Sequence, residues 1–161
     1  MLFIAAWLGA AIYFSAVVAP SVFGVLRSFG LSNANEIAGT IVTRTLSIVN
    51  KSGFVLSLGL LIATFALSKR YRRTSFILQL ALLVIIAAAT GLGEWVIAAR
   101  MRGLRAAMRG QIDQIPLSDP NRIAFAALHG YSVAALSVAI IAGLLAFFLI
   151  AFRSRESEVA L

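Results

Sequence analysis

The sequence has no cysteine, a single histidine, three prolines and only six acidic residues among its 161 residues. The missing cysteine excludes disulfides, thiolate metal sites, iron–sulfur clusters and a cysteine nucleophile. Charged residues make up 12% of the chain, well below the roughly one quarter usual in soluble domains. There is no Gly-rich phosphate loop, and no serine has a base and an acid at a catalytic spacing. The composition therefore favours neither a nucleotide-binding nor a hydrolytic enzyme.

Apolar residues fill most of the chain, at 61% of the sequence and a mean hydropathy of +0.97. A helix needs roughly 20 apolar residues to cross about 30 Å of hydrocarbon. The apolar runs predict an all-α polytopic membrane protein, an antiparallel bundle of four transmembrane helices in a single domain over 1–161. The predicted helices cover about 2–26, 36–68, 75–108 and 120–152, and a charged tail follows over 153–161.

The helix boundaries carry local signals. The first apolar run lacks a basic n-region, so we interpret it as a retained helix and not a signal peptide, with a kink or an end at Pro20. Asn33 has N-cap spacing to Glu36 at the start of the second helix. A basic turn over 69–73 separates helices two and three, and Asp119 and Pro120 are a good N-cap and first-turn pair for the fourth.

The net charge of +8 comes from fourteen Lys and Arg residues, which lie almost wholly in loops and helix ends without a nucleic-acid-binding motif. We expect anionic lipid headgroups as partners and no nucleic acid. Four crossings put both termini and the 69–73 turn on one side of the membrane, here called side A; the opposite side is side B. The positive-inside rule leans only slightly toward a cytoplasmic side B.

The unusual polar residues near the bilayer all belong to side B. Glu94 lies about 27 Å along the third helix from Phe76. Asn50 and Lys51 open the second crossing, and His129 lies two to three turns into the fourth helix, with Ser132 three residues later. Because buried charges in membranes normally pair, Lys51 with Glu94 is a predicted pair, which His129, Ser132 and Thr90 are placed to join. The alternatives are that Lys51 snorkels at a helix entrance and that His129 simply lies among the headgroups.

Three motifs resemble the transmembrane protein 205-like family, including its bacterial members. They are Trp7-Leu-Gly9 with Phe14, Val18-Ala-Pro20 and Phe23; Arg100-Met-Arg-Gly-Leu-Arg105; and Phe125-Ala-Ala-Leu-His129-Gly-Tyr-Ser132. Ala99 stands where the family pattern leads us to expect a proline. The resemblance implies a four-helix membrane domain in a bacterial cytoplasmic membrane and adds weight to Arg100, Arg105, His129 and Ser132 as site residues. It implies no biochemical activity.

Two functional hypotheses follow. The first is a non-enzymatic membrane protein without a cofactor, a small oligomeric transport, accessory or scaffold subunit whose side-B polar layer binds an anion, a lipid headgroup or a partner membrane protein. The second is a haem- or metal-binding, oxidoreductase-like membrane enzyme that resembles the four-helix bacterial protoporphyrinogen oxidases or copper-resistance membrane domains. Here His129 would be an axial ligand or base and Glu94 a proton carrier. One histidine in each chain cannot supply bis-histidine ligation within a protomer, and one His with one Glu is short of metal ligands.

Overall fold

A computed structural model describes the backbone of residues 1–67, 73–108 and 110–159, with side chains to residue 152 in the last segment. Within these residues the chain forms four long helices and no strand, which confirms the predicted all-α fold. The helices are α1 (Leu2–Ser28), α2 (Ala34–Ala66), α3 (Arg73–Ala107) and α4 (Pro120–Val159). A short 3₁₀ turn, Ile112–Gln114, lies between α3 and α4.

The predicted helix boundaries lie within two residues of those in the structure, except at the end of α4. Helix α2 begins at Ala34, two residues before the expected start, and α4 continues beyond residue 152 to Val159. The predicted basic turn lies outside the described residues except for Arg73, as do Arg109, the last arginine after α3, and the side chains of the predicted charged tail.

All four helices are long and apolar enough to cross a membrane. The membrane-spanning candidates contain 27 to 35 residues, or roughly 40 to 52 Å at 1.5 Å per residue, whereas hydrocarbon is only about 30 Å thick. Their apolar runs lie toward side A, because α2 and α3 carry their polar residues at the other end. We therefore expect the surplus helical turns to extend from the membrane on side B.

Helices α2 and α3 pack antiparallel along their whole length. Toward side A, Gln79 Nε2 donates a hydrogen bond to Thr64 Oγ1 at 2.9 Å. Toward side B, Arg105 forms an ion pair with Glu36. Because the residue numbers rise along α3 as they fall along α2, these contacts fix both the direction and the register of the two helices.

Trp7 of α1 holds that helix between α2 and α4. Its indole Nε1 donates to the backbone carbonyl of Val49 at 3.0 Å, and a Cβ added at Gly53 would lie only 2.7 Å from the indole ring. On α4, a Cβ at Gly143 would lie 2.8 Å from Leu8 Cδ2. Glycine at these two positions lets α1 approach both neighbouring helices closely, as small residues do in membrane bundles.

Two π-helical turns interrupt the long helices. The first, Phe14–Val18, directly precedes Pro20, whose ring would clash with the carbonyl of Ala16 in a regular helix and which has no N–H to donate. The wider turn accommodates the proline, so α1 continues past Pro20 instead of ending there. The second, Leu92–Ile97, contains Glu94 and no proline; single π turns are frequent at functional sites.

Candidate functional site at the side-B end of the bundle

Glu94 is buried inside the bundle, with 4% of its surface exposed. Its Oε1 accepts a hydrogen bond from Ser47 Oγ at 2.8 Å and lies 3.3 Å from Lys51 Nζ. Its Oε2 is also buried, yet it has no hydrogen-bond partner among the described residues. The carboxylate is therefore satisfied on one oxygen only.

The partners of Glu94 come from one face of α2. Ser47 and Lys51 are four residues apart, which places both side chains on neighbouring turns facing α3. Asn50 lies between them on the inner side of this face and is only 3% exposed. A Cβ added at Gly93 would lie 3.0 Å from Asn50 Nδ2. The glycine next to Glu94 thus lets the Asn50 amide approach the backbone of α3.

Among the described residues, the surroundings of Glu94 contain several oxygen atoms but no cluster of His, Cys, Asp and Glu side chains. Ser47 and Asn50 offer a hydroxyl and an amide oxygen, and a π turn replaces the regular i→i−4 hydrogen bonds along Leu92–Ile97. Within the part of the chain that the structure describes, no group of three His, Cys, Asp or Glu residues stands ready to hold a metal ion. We call Ser47, Asn50, Lys51 and Glu94 the Glu94 site.

A second carboxylate, Glu36, lies nearer the side-B end and is fully paired. Arg105 donates from Nε to Glu36 Oε1 at 3.1 Å and from Nη2 to Glu36 Oε2 at 2.6 Å. The backbone N–H of Ile112 donates to the same Oε2 at 3.0 Å. This bidentate pair joins α2, α3 and the loop that follows α3, and both carboxylate oxygens have partners.

The same loop covers the start of α2. Asp113 Oδ2 accepts from the backbone N–H of Glu36 at 3.3 Å, and Asp113 Oδ1 accepts from Asn35 Nδ2. Asn35 Oδ1 in turn accepts from Arg27 Nε at 3.0 Å. Asn33 occupies the N-cap position but its side chain makes no capping hydrogen bond, so Asp113 from the loop supplies the carboxylate cap there. We call Asn35, Glu36, Arg105 and Asp113 the cap.

The structure brings some of the predicted site residues together and separates others. Lys51 lies at Glu94, as the sequence predicts, whereas Arg105 pairs with Glu36 in the cap. Arg100 and His129 are exposed, and neither makes a hydrogen bond or an ion pair with a described residue. Ser132 is buried on α4 with 6% of its surface exposed.

Thr90, the remaining residue expected near Glu94, forms its hydrogen bond within its own helix. Its hydroxyl donates to the carbonyl of Ile86 at 2.7 Å, a common back-bond inside helices. Sequence reasoning missed Ser47, although its spacing of four residues from Lys51 is a usable signal. It also missed Asp113, for which a loop position gives no signal.

These features define a class: a multi-pass helical membrane protein with four crossing helices. A family model described as "Domain of unknown function (DUF4149)" matches residues 2–110, which is more than half of the chain. The protein belongs to this uncharacterised family. The match includes α1, α2 and α3, and with them the Glu94 site. No curated protein and no solved structure matches the chain.

Proposed function

We propose that this protein is a non-enzymatic membrane subunit that binds a small monovalent cation at Glu94, at the side-B end of the bundle. The observation that carries the proposal is the unpartnered Oε2 of Glu94. A buried polar atom without a hydrogen bond costs free energy, and a half-satisfied carboxylate costs more than a neutral group. A ligand that binds the unpaired oxygen would offset this cost.

The chemistry of the free oxygen selects the ligand. A carboxylate oxygen only accepts hydrogen bonds or coordinates cations, which favours a cation over the anion that the sequence also suggested. Because the oxygen lies inside the bundle, its proposed ligand is a small ion and not a partner helix. A single carboxylate with hydroxyl, amide and carbonyl oxygens suits a monovalent ion, since divalent ions are usually held by several carboxylates.

The ammonium group of Lys51 is proposed to alternate with the bound cation at the Glu94 carboxylate. Its side chain is 57% exposed, while that of Glu94 is 5% exposed, so the ammonium group reaches the carboxylate from outside the bundle. A long lysine stem at a membrane boundary turns readily toward the headgroups. In this proposal Lys51 pairs with Glu94 in the empty site and releases it when a cation binds, which keeps the net charge of the site low in both states.

The experiment is thermal unfolding of the purified protein in nanodiscs at constant ionic strength, with choline replaced stepwise by Li⁺, Na⁺ or K⁺. A ligand that binds only the folded state stabilises it in proportion to the logarithm of its concentration over the dissociation constant. We expect one of these ions to raise the unfolding temperature of the wild type and of Glu36→Gln, and to leave Glu94→Gln unchanged. Equal responses in wild type and Glu94→Gln would refute cation binding at this residue.

Whether the protein is a transport subunit or an accessory subunit depends on its oligomeric state. A lone four-helix bundle of this size encloses little space, so ion transport would require several copies around a shared path. A wild-type oligomer in native lipid and an ion flux in proteoliposomes that Glu94→Gln abolishes would support transport. A strict monomer with cation-dependent stability would identify an accessory role. We also propose that the protein is related to the transmembrane protein 205-like family and that it lies in a bacterial cytoplasmic membrane.

A further inference from the structure

Several arginines at the side-B end have no partner within the described residues. Arg44, Arg100 and Arg102 are exposed, and none makes a hydrogen bond or an ion pair there. Arg27 and Arg105, by contrast, are engaged by Asn35 and Glu36. Two of the three unpaired arginines share one surface.

Helical geometry places Arg44 and Arg102 on the outer side of the groove between α2 and α3. A helix turns about 100° per residue. In α2, Ser47 faces α3, Asn50 turns about 60° inward to the core, and Arg44 turns about 60° the other way. In α3, Arg105 faces α2 and Arg102 lies about 60° to one side. Because the helices are right-handed and antiparallel, that side is the same outer side.

The two arginines also lie at similar depth. The contacts Ser47–Glu94 and Glu36–Arg105 fix the register of α2 and α3. Arg44 is three residues from the first contact and Arg102 three residues from the second, both within the interval between them. At 1.5 Å per residue their levels differ by about 8 Å, which two arginine side chains span easily.

The groove becomes apolar toward side A. Trp95 packs edge-to-face on Phe54 with ring centroids 4.7 Å apart and is 52% exposed, as aromatic residues at the membrane interface often are. Beyond it the outer surface carries Val55 and Ile62 of α2 and Val84 of α3, which are 68%, 71% and 52% exposed. Unpaired guanidinium groups at one end and exposed apolar side chains at the other match the two ends of a phospholipid.

We propose that the outer groove between α2 and α3 binds one anionic phospholipid, with Arg44 and Arg102 on its phosphate and its acyl chains along Val55, Ile62 and Val84. The charge complementarity and the apolar continuation identify the occupant. Guanidinium groups suit phosphate oxygens because they donate paired hydrogen bonds. This lipid site uses none of the oxygens of Glu94, so it stands or falls independently of cation binding.

The test measures retention of phosphatidylglycerol by native mass spectrometry, with the protein in mixed micelles containing phosphatidylglycerol or phosphatidylcholine. A basic residue near an anionic headgroup contributes about 1 kcal/mol, or about fivefold in affinity. We expect Arg44→Gln and Arg102→Gln each to weaken phosphatidylglycerol binding about fivefold, with phosphatidylcholine unaffected. Arg100→Gln, which removes the same charge from another face of α3, should leave binding unchanged.

Two further arms separate a lipid site from general electrostatics. Millimolar inorganic phosphate should not displace the bound lipid, because it cannot occupy the apolar part of the groove. Arg44→Lys, which keeps the charge and the exposed position, should recover part of the binding lost in Arg44→Gln. If Arg100→Gln weakens binding as much as Arg44→Gln, or if phosphate displaces the lipid, the proposal is wrong.

Discussion

Two glutamates on the side-B half of the bundle, Glu36 and Glu94, have opposite surroundings. Glu36 is partly exposed, and Arg105 and the Ile112 backbone satisfy both of its oxygens. Glu94 is buried, with one oxygen paired and the other without a partner among the described residues. The more exposed group is the better satisfied one, which reverses the usual rule that buried charges are fully paired.

We infer that the difference distinguishes a structural glutamate, Glu36, from one that is available for ligand binding, Glu94. The hydrogen bonds and the ion pair of the cap link α2, α3 and the loop after α3. Removing one of the cap side chains should therefore destabilise the fold. At the Glu94 site one buried carboxylate oxygen has no partner among the described residues, so in our proposal the carboxylate adds little to stability and binds a ligand. If this contrast holds, the loss of stability on substitution should decrease from the cap to the Glu94 site.

Glu36→Gln should have the largest effect. The amide of the substituted side chain cannot accept two charge-assisted hydrogen bonds from Arg105, and such bonds contribute about 1.5 to 3 kcal/mol each when well formed. Partial exposure of both side chains lowers the loss, and we expect the free energy of unfolding to fall by about 1 to 2 kcal/mol. Denaturant titration in micelles measures it, with Arg100→Gln as the control that should change less than about 0.5 kcal/mol.

Asp113→Ala should destabilise the protein by about 1 kcal/mol, the usual cost of losing a capping side chain. It removes the acceptor for the Glu36 backbone N–H and for Asn35 while leaving the Arg105 pair in place. Hydrogen exchange should show faster exchange in the first turn of α2 and not at the Glu94 site. Uniformly faster exchange along α2 would show that the cap and the Glu94 site are one unit.

Gly93→Ala should disturb the Glu94 site through Asn50. The added methyl would lie 3.0 Å from Asn50 Nδ2, so the amide must move by a few tenths of an ångström. Gly103→Ala is the matched control on the same helix, because nothing lies within 4 Å of its added Cβ. Relative to that control, we expect a loss of about 1 kcal/mol and a weaker cation response. A response equal to that of the control would exclude Asn50 from the site.

Glu94→Gln should have the smallest effect on stability. Removing the charge relieves the cost of a half-paired buried carboxylate, while the amide oxygen still accepts from Ser47 and Lys51 turns to the headgroups. We expect the free energy of unfolding to change by less than about 1 kcal/mol, the net contribution of one ordinary hydrogen bond. If the free energy of unfolding falls as much as in Glu36→Gln, Glu94 has a structural role like that of Glu36, and the proposed difference between the two glutamates is wrong.

The sequence predicts the pair at Glu94 but not the cap, for physical reasons. Lys51 and Glu94 are charged residues next to apolar runs. Charges at such positions usually pair, because an unpaired charge in hydrocarbon is energetically costly. Glu36 and Arg105 lie in polar segments where water offers each its own partner, so only the register of α2 against α3 brings them together. Asp113 depends on a loop path that no periodicity describes.

Helical phase explains the position of His129. The sequence places His129 and Ser132 on one face, yet Ser132 is buried and His129 exposed. The buried stripe of α4 runs through Leu136 and Ser132 to the half-buried Leu128. His129 lies about 100° from Leu128 and about 60° from Ser132 around the helix axis. Depth follows from counting residues along a helix, but the rotation of a helix depends on packing against its neighbours.

The most direct test of the central claim is infrared difference spectroscopy of the protein in nanodiscs, comparing the carboxylate bands in choline and in the stabilising monovalent cation. Cation binding at Glu94 predicts a carboxylate difference signal in the wild type that persists in Glu36→Gln and disappears in Glu94→Gln. A signal that disappears in Glu36→Gln and survives in Glu94→Gln would place the ion at the cap and contradict the account.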